Sequence, residues 1–241
     1  MLIVGLTGSI GMGKSTAAAR FLERGIPVFD ADREVHRLYA GPLADEIEQA
    51  FSGATTDGKV DRAKLSALLL GKPEKFADLE RIVHPRIRAG ERRFIQAEHA
   101  RGTPIAVLEV PLLFEAGGYG AVDVIVVVSA DEATQRARVL SRPGMTESKF
   151  ATIRSRQLSE EKKRARADFV VETAGTVESC NSQIDAVIDK LKGRDGNAFD
   201  RLATRAKCLT YLFQIVRKTS LQHGSIHLIQ DHQHTIVGVQ V

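Results

Sequence analysis

Residues 8–15, GSIGMGKS, constrain the fold of this chain more than any other segment. They match the pattern G-x-x-x-x-G-K-[ST] at every position, directly after an apolar run and directly before a helical pattern. Glycines allow positive φ angles and a close approach of the backbone to an anion. Successive backbone N–H groups at a helix N-terminus then form an anion-binding nest. The segment therefore predicts a P-loop that binds nucleotide phosphates between a buried strand and a helix.

The motif also predicts roles for its own side chains. Lys14 is placed to reach the β- and γ-phosphates and to act in catalysis, and the Ser15 hydroxyl is placed to bind Mg²⁺. The predicted cofactors are ATP and Mg²⁺. A glycine-rich turn that binds nothing is the alternative, but it gives Lys14 no packing reason to be there. The candidate nucleotide-binding residues are Gly8, Gly11, Met12, Gly13, Lys14, Ser15 and Thr16.

Short apolar runs alternate with helical patterns along the chain. Strands that are buried on both faces of a parallel sheet consist of such apolar runs. Their alternation with helices indicates crossover connections. We therefore predict an α/β fold with a doubly wound, five-stranded parallel sheet and helices on both faces. The predicted strands are residues 2–7, 26–29, 105–110, 122–128 and 169–171.

Two stretches are longer than such a sheet requires. Residues 33–103 are mostly helical by pattern and predict an inserted substrate subdomain, and residues 131–166 predict a helical lid that closes over ATP. Beyond a kinase domain at 1–192, residues 193–241 form a predicted extension of unknown role. The predicted core comprises 1–32, 104–130 and 167–192. In the extension, His223, His227, His232 and His234 match no common zinc spacing.

Carboxylates lie at the ends of the second and third predicted strands. Asp30 and Asp32 follow one strand and Glu109 ends the next, at the edge where a parallel sheet meets its ligand. Asp32 is the candidate base for an attacking hydroxyl, and Asp30 is a candidate helix cap or contact to a Mg²⁺-bound water. Glu109 is placed to contact Mg²⁺ or substrate. The alternative for Glu109 is an ordinary charge at a strand end.

The predicted lid is strongly basic. Between residues 136 and 166 it carries seven arginines and three lysines but only three glutamates. Like charges at helical spacing repel one another, and a bound triphosphate would relieve that repulsion. Arg142, beside the break at Pro143, is the candidate catalytic arginine, while a nucleic-acid-binding surface is the alternative for this segment. His84, in the helical subdomain, is either a structural histidine or a ligand of a substrate phosphate.

The overall composition argues against several classes of protein and several locations. The chain has 241 residues, a net charge of +4, no Trp and 5% aromatic residues, so it offers few stacking platforms for single-stranded nucleic acid. Cys180 and Cys208 lie far apart, which argues against a disulfide framework and fits a reducing compartment. No apolar run reaches membrane-spanning length, and the N-terminus lacks the basic region of a signal peptide. We expect a cytoplasmic monomer that binds neither nucleic acid nor a membrane.

Several segments, in this order, resemble the dephospho-CoA kinase family. The P-loop alone is not specific to it, but the later His-Pro and Pro-Leu-Leu-Phe-Glu segments are. The resemblance covers about residues 1–190. The matching segments are 5–16 (GLTGSIGMGKST), 30–32 (DAD), Leu65, 82–85 (IVHP), 110–115 (VPLLFE), 135–136 (QR), Arg154 with Gln157, 161–164 (EKKR) and 167–168 (AD).

The resemblance implies a P-loop NTPase fold of the adenylate-kinase type, with a CoA-binding helical domain and a lid. It implies the last step of coenzyme A synthesis, in which ATP phosphorylates the ribose 3′-hydroxyl of dephospho-CoA. By position, residues 11–16 would bind the ATP phosphates, Asp32 would act as base and Arg142 would belong to the lid. Glu109 stands where many members have Asp, and Thr173 stands where the family has Asn. The alternatives are another small-molecule or nucleotide P-loop kinase, and a P-loop protein that binds nucleic acid.

Overall fold

The computed structural model of the chain describes residues 1–115, 122–155 and 157–202. By contacts, the chain divides into two units, Met1–Phe199 and Asp200–Val241. Cys208 and the four histidines of the predicted extension lie outside the described residues. Within the described ranges, no helix is long and apolar enough to cross a membrane.

A five-stranded parallel sheet forms the centre of the first unit. Its strand order is β2-β5-β1-β6-β7, so the fold class predicted from the apolar runs is confirmed, with strand ends shifted by at most two residues. The elements are β1 (Leu2–Thr7), α1 (Lys14–Glu23), β2 (Val28–Asp30), α2 (Ala31–Tyr39), α3 (Ala44–Ala50), β3 (Thr55–Thr56), β4 (Lys59–Val60), α4 (Arg62–Leu69), α5 (Pro73–Ala100), β5 (Ile105–Glu109), β6 (Val124–Ser129), α6 (Glu132–Leu140), α7 (Glu147–Ser155), α8 (Glu160–Arg164), β7 (Phe169–Glu172) and α9 (Val177–Leu191).

The main core explains why β1 is apolar throughout. Alternate residues of a strand point to opposite faces, and Val4 packs with Phe21 of α1 and Ile184 of α9 on one face of the sheet. Ile3 is equally inaccessible to solvent on the opposite face. Because both faces are covered, the strand has no position for a polar side chain until it reaches Thr7.

A second apolar cluster lies between β2 and β5 in the sequence. It joins α2 to α5, with Leu43, Ile47 and Phe51 buried at its centre. The segment also contains a short antiparallel hairpin, β3–β4, in the stretch that the sequence indicated as mostly helical. Asp57 and Gly58 form its turn with φ angles of 51° and 70°, and an Asp-Gly pair is a strong signal for such a hairpin.

The predicted lid segment contains three helices, α6, α7 and α8. Pro143 and Gly144 lie between α6 and α7, where Gly144 has a φ of 73°. Asp131 caps α6 by accepting a hydrogen bond from the Thr134 N–H. Ser159 caps α8 in the same way through the Lys162 N–H. The Pro-Gly break predicted from the sequence therefore falls between helices, and a second interruption separates α7 from α8.

The compact unit extends beyond the predicted domain end at residue 192. Asp123, just before β6, accepts hydrogen bonds from the backbone N–H groups of Asn197 and Ala198 at 2.9 and 2.7 Å. Ala198 is fully buried, and the Phe199 ring stacks on His99 of α5 at 3.8 Å between centroids. Residues 193–199, which the sequence placed in the extension, therefore pack with the first unit. Sequence composition missed this because the anchoring carboxylate lies about 75 positions away.

Ending the chain at Lys192 or at Phe199 should have different consequences. Removing residues 193–199 deprives Asp123 of two backbone donors and uncovers the site of Ala198, so we expect the shorter chain to lose about 1–3 kcal/mol relative to the longer one. Urea unfolding of both truncated proteins, followed by circular dichroism, measures this difference. Equal midpoints and slopes would show that the residues 193–199 add nothing to the fold.

Candidate active site

The P-loop connects β1 to α1 and wraps around the N-terminus of that helix. Gly13 precedes the first helical residue with a φ of 80°, and Gly11 has a φ of 79°, both in the region that favours glycine. A Cβ at Gly11 would lie 2.6 Å from a methyl group of Val139 on α6. The glycines are therefore required both by backbone conformation and by the close approach of α6.

Lys14 turns its ammonium group back over the loop. Its Nζ donates to the carbonyl oxygens of Gly8 at 2.7 Å and Ser9 at 3.4 Å. Burial lowers the pKa of Lys14, and the charges of Glu109 and Asp32 oppose that effect. The lysine, the P-loop and the two predicted carboxylates thus share one electrostatic environment.

The strand order explains why Glu109 and Asp32 face the P-loop from the same side. β5 lies between β1 and β2, so Glu109 pairs in register with Leu6 of β1 and Asp30 of β2. Glu109 is only 8% exposed. Burial, followed by the charge of Asp30, raises the pKa of Glu109 to about 7, although Lys14 opposes the shift. This carboxyl group therefore changes its charge near neutral pH.

The two aspartates of the Asp-Ala-Asp segment have different positions. Asp30 is the N-cap of α2 and accepts a hydrogen bond from the Arg33 N–H at 2.9 Å. Asp32 lies in the first turn of α2 and lines the cavity beside the P-loop. The predicted cap is therefore observed at Asp30, while Asp32 has its carboxylate available to a ligand.

One cavity of about 740 Å³ brings most of the predicted site together. A volume of this size lies within the range of small-molecule and cofactor sites. Gly8 contributes its carbonyl to Lys14 but does not line the cavity, and His84 is exposed on α5 and does not line it either. The predicted residues that line it are Gly11, Met12, Gly13, Lys14, Ser15, Thr16, Asp32, Glu109 and Arg142.

Two glutamines, to which the sequence assigned no role, hold the tip of the P-loop. Gln135 of α6 donates to the carbonyl oxygen of Ile10 at 2.8 Å, and Gln157 accepts from the N–H of Ile10 at 3.1 Å. Both come from the predicted lid segment, and Gln157 also lines the cavity. Both positions contributed to the family resemblance, and that was the only signal available from the sequence.

Thr173, at the end of β7, supports the P-loop from the other side. Its hydroxyl donates to the carbonyl oxygens of Met12 at 2.9 Å and Ser129 at 3.1 Å. Arg138 of α6 donates to the carbonyl oxygen of Thr173 at 2.5 Å. Both Thr173 and Arg138 line the cavity on the side opposite Asp32. From the sequence, Thr173 was noted only as a departure from the family pattern, and Arg138 received no role of its own.

Much of the positive charge in the predicted lid segment is paired. Arg136 forms an ion pair with Glu147, Arg154 with Glu132, and Arg164 with Glu172. The repulsion expected from this basic sequence is therefore partly relieved by acidic side chains, two of which lie outside residues 136–166. Arg142 is exposed, lines the cavity and has no ion-pair partner within the described residues.

Known proteins that are similar in sequence to this chain are dephospho-CoA kinases. The family model for dephospho-CoA kinase matches residues 2–179. A dephospho-CoA kinase from Mesorhizobium japonicum is 50% identical over 82% of this chain and its own full length. One from Rhizobium meliloti is 51% identical over 80% of this chain and 99% of its own.

Solved structures agree with the fold. A Thermus thermophilus protein is 35% identical, with a TM-score of 0.68, over 80% of this chain and 98% of its own. A dephospho-CoA kinase from Campylobacter jejuni shares the fold at 22% identity, with a TM-score of 0.56, over 78% of this chain and 96% of its own. The family match, the curated relatives and the arrangement of the P-loop with its carboxylates lead to one conclusion: the chain belongs to the dephospho-CoA kinase family.

Proposed function

We infer that the chain transfers the γ-phosphoryl group of ATP to the ribose 3′-hydroxyl of dephospho-CoA, giving coenzyme A and ADP. Membership of the dephospho-CoA kinase family supports the substrate pair. The observation that carries the chemistry is the single cavity in which Lys14 of a complete P-loop meets Asp32 and Glu109. Most of the catalytic effect in phosphoryl transfer comes from positioning and charge stabilisation. Lys14 would stabilise charge on the phosphates, Asp32 would position the acceptor hydroxyl, and Glu109 would act through a bound cation.

The ATP phosphates are proposed to lie in the P-loop. The backbone N–H groups of residues 11–16 would contact them. In the structure, Lys14 donates to the carbonyl oxygens of Gly8 and Ser9. Lys14 exchanges those carbonyl contacts for the β- and γ-phosphate oxygens. Thr16, which also lines the cavity, is placed for the α-phosphate. Arg142 from the predicted lid segment would approach the transferring group with a guanidinium that has no ion-pair partner among the residues that the structure describes.

The oxygen donors of the cavity fit Mg²⁺. This ion prefers a small number of protein oxygens together with phosphates and waters, and the Ser15 hydroxyl and the Glu109 carboxylate both line the cavity. When bound, Mg²⁺ would neutralise negative charge on the phosphates. Ser15 and Glu109 are proposed to hold it, with Glu109 as the ionised carboxylate, a form that burial opposes and a bound cation would favour.

The acceptor hydroxyl is proposed to approach from the side of Asp32. Asp32 orients the 3′-hydroxyl by accepting a hydrogen bond and takes its proton as the bond to phosphorus forms. The helical segment α2–α5 would bind the rest of dephospho-CoA, with His84 as a candidate phosphate contact, and α6–α8 would act as the lid. A cytoplasmic, monomeric protein without nucleic-acid partners remains our prediction.

An acceptor panel tests the function. With MgATP, dephospho-CoA should be phosphorylated at least about 100-fold more efficiently than AMP or uridine, because a site that pairs buried polar groups discriminates strongly against acceptors that leave them unpaired. Coenzyme A, whose 3′-hydroxyl is already phosphorylated, is the matched control. ADP release and ³¹P NMR of the product measure rate and position. Faster phosphorylation of AMP would indicate a different P-loop kinase.

Substitutions of Asp32 and Asp30 should have different effects on kcat, because only Asp32 is proposed to accept the proton. Asp32→Asn should lower kcat by roughly 10²–10⁴-fold with little change in ATP affinity, because it removes the proton acceptor. Asp30→Asn keeps a capping oxygen for α2 and should lower kcat far less. Steady-state kinetics and ATP titrations of both variants make the comparison. A normal kcat for Asp32→Asn, or a selective loss of ATP binding, would contradict the assignment.

Glu109 should make stability depend on pH in a defined direction. Its pKa is about 7 in the folded protein and 4.5 ordinarily, so the folded state binds the proton more tightly and stability falls as pH rises through this interval. Glu109→Gln should therefore raise the free energy of unfolding by up to about 3 kcal/mol at pH 8 and hardly at pH 4.5. It should also weaken Mg²⁺-dependent activity.

The control for this prediction is Glu80→Gln, since Glu80 is exposed on α5. Urea unfolding at both pH values compares the two variants with the unmodified chain. A Glu109→Gln protein that gains no stability at pH 8, or gains equally at both pH values, would show that the ionised carboxylate is not a destabilising group in the folded protein.

A further inference from the structure

Lys163 is the most enclosed charged side chain in the described part of the chain. It lies on α8 and is 0% exposed, and within the described residues its Nζ has a single charged partner. Its ion-pair partner is Glu115, with 3.2 Å between Nζ and Oε1. An ammonium group carries three N–H donors, and its removal from water is unfavourable unless other partners replace the hydration. The mechanism above uses Lys14 and leaves this second buried cation without a role.

Glu115 compensates this charge only in part. The same Oε1 accepts a hydrogen bond from the Leu158 N–H at 2.6 Å. Burial would raise the pKa of Glu115, but the Leu158 N–H and the charge of Lys163 more than offset it, and the pKa is lowered. The carboxylate is therefore ionised at neutral pH, and its single charge is divided between a backbone donor and the lysine.

Helix α8 is attached to the phosphate side of the cavity. Glu160 accepts a hydrogen bond from the hydroxyl of Ser9 in the P-loop at 3.5 Å. Arg164 donates to the hydroxyl of Ser129 at the end of β6 at 2.9 Å. Lys163 lies between these two anchors on the same short helix. It is buried and does not line the cavity, but its charge acts on Lys14 of the P-loop.

The two buried lysines act on each other. Burial lowers the pKa of Lys14 most, the charges of Glu109 and Asp32 raise it, and the charge of Lys163 lowers it by a smaller effect. Two ammonium groups that repel each other in a low-dielectric region raise the local positive potential. That potential is relieved when a polyanion enters the neighbouring P-loop.

We propose that Lys163 is a positioning residue for the nucleotide triphosphate, a buried cation that strengthens binding of the β- and γ-phosphates without itself lining the cavity. This rests on the ATP site proposed above. A solvent-exposed cation would be screened, whereas a buried one acts at longer range. The other explanation is a purely structural ion pair with Glu115. The two explanations differ in how the effect depends on the number of phosphates.

Lys163→Met removes the charge and nearly preserves the side-chain length. We expect it to weaken MgATP binding about tenfold, ADP binding less and AMP binding not at all, because the effect follows the negative charge in the P-loop. Lys162→Met is the matched control, since Lys162 is the adjacent residue on α8 and is exposed. Isothermal titration of ATP, ADP and AMP measures all three affinities, and KM for dephospho-CoA should stay unchanged.

We expect Glu115→Gln not to weaken ATP binding, in contrast to Lys163→Met. The amide can still accept the Leu158 N–H, but Lys163 loses the charge that competes with phosphate. ATP affinity should therefore equal or exceed that of the unmodified chain. If Lys163→Met alone does not fold, the double variant removes both buried charges together, and its ATP affinity should be at least about fivefold below that of Glu115→Gln.

Three results would overturn the proposal. The first is an equal loss of ATP and AMP affinity in Lys163→Met, and the second is an ATP affinity in that variant equal to that of the unmodified chain. The third is a Glu115→Gln variant that loses ATP affinity as Lys163→Met does, which would indicate a structural pair. Failure of the proposed function is distinguishable, because the unmodified chain would then bind ATP without phosphorylating dephospho-CoA.

Discussion

The backbone conformation of residues 8–13 determines where every other part of the site must lie. This loop can present its N–H groups to an anion only if glycines adopt positive φ and if its own carbonyl oxygens find partners elsewhere. The partners come from three directions. Lys14 donates to Gly8, the Thr173 hydroxyl donates to Met12, and Gln135 donates to Ile10. The loop is therefore held by α1, by the end of β7 and by the lid segment together.

An acidic group and a basic group beside this loop both have shifted pKa values, and each shift favours the uncharged form. Burial and neighbouring carboxylates raise the pKa of Glu109, while burial and neighbouring cations lower the pKa of Lys14. The charged form of Glu109 would be stabilised by a bound cation, and the charged form of Lys14 by a bound anion. An enzyme that binds a metal–polyphosphate complex gains from this arrangement, because the ligand brings both signs of charge into the same cavity.

The parts of the molecule that are encoded locally could be predicted from the sequence. The P-loop motif and the apolar runs of β1 and β6 require only neighbouring residues for their interpretation, and the structure confirms the five-stranded sheet. Because Asp32 follows the end of a predicted parallel strand, it was also expected at the ligand-binding edge of the sheet. What the sequence did not reveal depends on distant partners. Gln157 reaches Ile10, and Asp123 binds Ala198, across 147 and 75 positions respectively. Nothing in the local pattern of α8 marks Lys163 as buried.

The predicted lid segment, residues 131–166, is attached to the core by few buried apolar residues and several polar contacts. It contacts the P-loop through the side chains of Gln135, Gln157 and Glu160, and its fully buried apolar residues are few, chiefly Val139 and Phe150. Individual hydrogen bonds of this kind contribute about 1 kcal/mol each, far less than the apolar burial that holds α1 and α9 to the sheet. Segments with few buried apolar contacts open at low free-energy cost. Because Gln135 and Gln157 hydrogen-bond to Ile10 of the P-loop, a displacement of the predicted lid segment would break contacts of the P-loop itself.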